Sequence, residues 1–121
     1  MNLRNIFKAY SILGVLNAIG GLFFTAAFLG SAGWIPTPEL ITLAQFMGMT
    51  FLIIAIWSWR IPDVVGDGLN SMGKLFAIGG ILWTIIIAYH IMTGAAGGAT
   101  GYVNLILTAA FALGFYFYSK D

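Results

Sequence analysis

Four runs of roughly twenty apolar residues, divided by short stretches rich in Gly, Pro and Ser, dominate this chain of 121 residues. A bilayer core about 30 Å thick is crossed by about 20 residues of helix, so each run has the length of one crossing. The runs cover about Ile6–Leu29, Pro38–Trp59, Ser71–Met92 and Gly101–Tyr118, which leaves no linker or second domain. An open sheet in lipid would leave backbone groups unpaired, and the runs lack the two-residue alternation of a barrel strand. The sequence therefore predicts an all-α single domain, an integral membrane four-helix bundle of up-down-up-down connectivity.

Composition agrees with lipid as the solvent. Hydrophobic residues make up 60% of the chain, and Lys, Arg, Asp and Glu together only 7%, too few polar groups to cover a water-facing surface. The absence of Cys excludes a disulfide scaffold and a thiolate metal site, and a net charge of +1 offers no field for gripping nucleic acid.

The connections carry the expected chemistry. Gly30-Ser31-Ala32-Gly33 stops the first run, and Thr37-Pro38-Glu39 supplies the cap, first-turn Pro and early acid that start the second. Ile61-Pro62-Asp63 is expected to end the second helix, Asn70 or Ser71 to cap the third, and the glycine-rich stretch Gly94–Gly101 to separate third from fourth. That stretch follows a helix and contains no Lys, so it reads as a hairpin rather than a phosphate cradle. The first run, with Arg4 and Lys8 before it, imitates a secretory signal but is too long for an h-region and is expected to be retained.

All five basic residues, Arg4, Lys8, Arg60, Lys74 and Lys120, fall on the side of the N-terminus, the middle loop and the C-terminus. The positive-inside rule then predicts an inner (plasma) membrane protein with both termini cytoplasmic and Glu39 as the charged residue of the outer side. Trp34 and Tyr102 fall at the outer boundary, and Trp57, Trp59, Tyr116 and Tyr118 at the inner one, as belt aromatics do. The ten Phe residues read as lipid-facing filling.

Lipid gives no hydrophobic reward for helix association, so small residues that let backbones approach should mark the contacts. Stripes of this kind are Gly14, Ala18, Gly21 and Thr25 in the first run; Ala44, Gly48 and Ala55 in the second; Gly73, Ala77, Gly80, Thr84 and Ala88 in the third; and Thr108 and Ala112 in the fourth. A short echo, Ala18-Ile19-Gly20-Gly21 against Ala77-Ile78-Gly79-Gly80, relates the first and third runs.

Polar groups inside the spans are few. Asn17 lies about 16 Å into the first span by helix rise, near the midplane. Gln45, His90 and Asn104 fall in the outer half, at the level of Glu39, Tyr89 and Tyr102. Three readings of this cluster follow. Gln45, His90 and Asn104 hydrogen-bond across helices and fix register, at about 0.6 kcal/mol each. Alternatively, His90, Gln45, Asn104, Asn17 and Glu39 form a recognition site for a quinone, a bound lipid or a small polar solute. In the third, His90 is an axial ligand to a chlorin or haem. No metal-ion ligand spacing is visible. Ser11, Ser31, Ser58, Ser71 and Ser119 are scattered with no base in reach, so no catalytic constellation is expected. The first span also lacks the embedded carboxylate on which small multidrug carriers depend and offers Asn17 instead.

Two segments, ELITLAQFMGMTFLIIAIWSWRIPD from Glu39 to Asp63 and YVNLILTAAFALGFYFYSK from Tyr102 to Lys120, resemble the corresponding spans of the small DoxX-like four-helix membrane proteins of bacteria. The first has the small-residue step and closing basic residue of that group, and the second its early Asn and late aromatic run. The resemblance covers the whole chain and implies a four-helix membrane fold, with a link to respiratory or redox partners in some relatives. The sequence is thus expected to encode an accessory or scaffold subunit, packed against other membrane proteins or against its own copies. The second expectation is a protein that binds a small ligand or cofactor around His90.

Overall fold

The computed structural model describes residues 2–120, which are helical with no strand among them. The helices are α1 (Leu3–Phe23), α2 (Thr25–Ser31), α3 (Pro38–Val64), α4 (Leu69–Met92) and α5 (Gly98–Ser119), with a 3₁₀ turn at Gly66–Gly68 before α4. Four of them, α1, α3, α4 and α5, are long and apolar enough to cross a membrane.

Small residues set the helix pairing. α1 packs chiefly on α3, and α4 chiefly on α5. A methyl group placed on Gly14 would lie 3.1 Å from the Ala55 Cβ, and one on Gly21 would lie 3.3 Å from both the Gly48 Cα and the Ala44 carbonyl oxygen. In the other hairpin a methyl on Gly80 would lie 2.9 Å from the Ala112 Cβ. The stripes thus meet one another within the chain, with pair numbers running in opposite senses. The echoed stretches do the same job in both hairpins. Thr25 and Thr84 each donate a hydroxyl proton back to Gly21 and Gly80, both at 2.7 Å, and the paired glycines carry the close approach.

The two hairpins are joined at the basic end by aromatic packing. Phe7 and Phe115 are fully buried, and the Phe7 ring meets Phe76 and Phe115 edge-on at centroid distances of 4.8 Å each. Tyr10 and Phe111 extend the cluster, 5.3 Å apart. Four of the Phe residues expected to face lipid are therefore core, linking α1 to α4 and α5. The belt residues Trp34, Tyr102, Trp57, Trp59, Tyr116 and Tyr118 are exposed as expected.

Several boundaries differ from the expectation. The first run is not one helix to Leu29, because Phe24 leaves helical geometry (φ −127°, ψ 39°) and α2 starts afresh. The Phe28 ring folds back over Gly20, where a methyl would come 2.6 Å from it. Pro62 does not end α3, which runs to Val64. Proline removes one donor near the helix end, and α1 supports the carbonyls there: Lys8 donates to Trp59 O at 2.6 Å, and Arg4 to Pro62 O at 3.3 Å. Neither Asn70 nor Ser71 caps α4, since Gly68 holds that position without a side-chain bond. Thr37 does cap α3, accepting from the Leu40 N–H at 3.3 Å. The glycine-rich stretch is part turn and part helix, with α5 starting at Gly98.

Candidate functional site

Away from the aromatic cluster the two hairpins part. α3 and α4 make no extensive contact, and Phe51 and Trp83 face each other across the gap at a ring distance of 6.1 Å. The result is a cavity of about 440 Å³ bounded by α1, α3, α4 and α5, with Tyr10 at its basic end. At the opposite end the C-terminus of α2 meets the start of α5. Ser31 and Thr100 share a hydroxyl hydrogen bond of 2.5 Å, and the Gly97 N–H reaches Ala32 O at 3.4 Å. Gly98 sits against this seam with φ +70°, where a methyl would come 2.5 Å from Ser31 O. Only glycine accommodates both that backbone and that approach.

Three of the five candidate residues line this cavity together, Asn17 and Asn104 half-buried and His90 exposed. The other two stand apart from it: Gln45 and Glu39 are exposed on α3 outside the lining. Asn17 donates one amide proton to Leu13 O of its own helix at 3.2 Å. Among the described residues its carbonyl oxygen accepts nothing, and the side chains of His90 and Asn104 bond to no protein group. The expected cross-helix bonds of Gln45, His90 and Asn104 are therefore not formed. Register is held by hydroxyls instead. Ser11 donates to Ala55 O at 2.6 Å, Thr84 lies 3.3 Å from Thr108, and Ser31 pairs with Thr100. In the sequence Thr84 and Thr108 stand out as members of the stripes, Thr100 as part of the glycine-rich stretch, and Ser11 and Ser31 as hydroxyls with no base in reach; none is legible there as a bond between helices.

Chemically the cavity is an apolar chamber with a sparse polar inventory. Its walls include Phe28, Phe51 and Trp83, and each asparagine can both donate and accept while the imidazole can do one of each when neutral. Among the described residues no buried side-chain polar atom is left without a partner, so the free polar atoms of Asn17, Asn104 and His90 are accessible ones, which water or a ligand's polar atoms can bond. Water alone satisfies the polar groups but not the aromatic walls.

Comparison of the chain with known protein families, with curated proteins and with solved structures finds no match.

Proposed function

We propose that this is a four-span membrane protein that binds a small lipophilic molecule with a polar, oxygen-bearing head, of the quinone class, between its two hairpins. The observation that carries the reading is the convergence of Asn17, Asn104 and His90, unbonded to other side chains, in one apolar-walled cavity of about 440 Å³. That volume lies within the range of small-molecule sites. Carbonyl or hydroxyl oxygens on the head would bond the amides, and the ring would stack on Phe51 or Trp83. The sparse contact between α3 and α4 supports entry sideways from the bilayer. The small-residue stripes close the hairpins inside the chain, so the feature behind the accessory-subunit expectation is already used.

The same proposal places the four spans in alternating directions across the inner membrane, with both termini cytoplasmic. Support comes from the opposite sense of the paired positions and from the gathering of Arg4, Lys8 and Arg60 around Asp63 at one end. That the chain belongs to the DoxX-like group is part of the same proposal and is supported only by the arrangement of its spans. The test is to purify the full chain in mild detergent, extract it with organic solvent, and identify the extract by absorption and mass spectrometry. A stoichiometric ring-bearing lipophile supports the reading. Its absence from the extract, together with co-purifying protein chains, favours the accessory subunit.

A further inference from the structure

A second feature lies on the opposite face of α1, outside the ligand cavity. α1 and α3 leave an open apolar groove between them, lined by Ile12, Val15 and Leu16 on one side and Ile56, Trp59 and Arg60 on the other. Its floor is buried: Ser11 is bonded to Ala55 O at 2.6 Å, so nothing polar is offered along its length. The groove ends at the basic cluster. There Lys8 lies 4.1 Å above the Trp59 ring and 3.3 Å from the Asp63 carboxylate, which also takes the Arg4 guanidinium. Three cations thus surround one carboxylate, an excess of two positive charges. Arg60 is the least engaged of them, 3.9 Å from Asp63 with its side chain 63% exposed, and it is the cation that lines the groove.

We propose that this groove holds one anionic phospholipid, its acyl chain along Ile12, Leu16 and Ile56 and its phosphate on Arg60, with Lys8 adding attraction. The order of parts carries the argument: an apolar channel at chain depth leads to a net positive cluster with an exposed Trp beside it, which matches the order of acyl chain, interface and phosphate in a lipid. Arg rather than Lys at the end of the channel suits a phosphate, because the guanidinium fork binds two oxygens at once.

The full chain in mild detergent is titrated with phosphatidylglycerol and, in parallel, with phosphatidylcholine of the same chains, and retained lipids are counted by native mass spectrometry. The wild type should retain one phosphatidylglycerol at least about fivefold in preference, the factor one cation near an anionic surface supplies. Arg60→Gln should lose about that factor, and Ile12→Trp, which fills the channel at an exposed position, should reduce retention with the cluster intact. Millimolar inorganic phosphate should not displace the lipid, since it has no chain to occupy the channel. Equal retention of both lipids by the wild type, an undiminished preference in Arg60→Gln, or displacement by phosphate overturns the proposal. None of these outcomes bears on the cavity between the hairpins.

Discussion

Gly80 and Ala112 touch so closely that a methyl group on Gly80 would come within 2.9 Å of the Ala112 Cβ and 3.2 Å of its Cα. No hydrophobic force draws α4 to α5 in lipid, so backbone approach of this kind, with its dense dispersion contact, is what holds the hairpin.

Gly80→Val should therefore destabilise the fold by about 1–3 kcal/mol, the usual result of overpacking. Gly79, one residue away, has open space around its Cα, and Gly79→Ala should leave stability unchanged or slightly raised. Thermal unfolding of both variants in the same detergent checks the contrast.

Gly98→Ala should weaken the seam between the two loops. Its φ of +70° and the 2.5 Å approach to Ser31 O together place the cost at about 1–3 kcal/mol. Gly97→Ala, where the backbone is extended and the space open, should be near neutral. Protease resistance of the loops, read on intact and variant protein, reports the difference.

Ser11→Ala removes the hydroxyl that crosses from α1 to Ala55 O at 2.6 Å. The expected loss is about 0.6 kcal/mol, the average for hydrogen bonds between membrane helices. Unfolding free energies measured in detergent should fall by that amount relative to wild type.

Orientation can be read by labelling, because the chain has no cysteine of its own. An impermeant maleimide on intact cells should modify Ala95→Cys in the glycine-rich turn and spare Asn70→Cys at the start of α4. The reverse pattern would place the basic end outside.

The four spans, their mutual small-residue faces and the Thr37 cap were legible because lipid imposes simple rules on length and on close packing. Gly14 with Ala55, and Gly80 with Ala112, are members of stripes recognisable by spacing alone. The break at Phe24 was not legible, since neither it nor Thr25 is a helix breaker. The Phe28 ring reaches back over Gly20 at this break, a contact that exists only once the chain has bent. Pro62 misled in the opposite direction. α3 continues two residues past this local breaker, and Arg4 and Lys8, more than fifty residues away in sequence, donate to the Pro62 and Trp59 carbonyls near its end.

At the candidate site, residue types picked out the polar groups inside the spans but not which of them share a space. Depth alone put Gln45, His90 and Asn104 together. The rotation of each helix decided the outcome: α3 turns Gln45 out of the lining, while α1, α4 and α5 bring Asn17, His90 and Asn104 into the cavity. A run apolar on every side carries almost no rotational signal, so that choice could not be read from hydropathy. The aromatic cluster around Phe7 was hidden for the same reason, because Phe is as much at home in lipid as in the core.

If Asn17, His90 and Asn104 receive the head of a lipophilic ligand, as proposed, its binding is saturable and depends on the two amides. Titration of the full chain in detergent with a short-tailed benzoquinone, read through quenching of the protein's tryptophan fluorescence, tests it most directly, since Trp83 lines the cavity. Saturable quenching is expected in the wild type, and at least about tenfold weaker binding in the Asn17→Leu, Asn104→Leu double variant, the effect of losing two hydrogen bonds. Quenching that rises linearly without saturation, or that saturates equally well in the double variant, would contradict it.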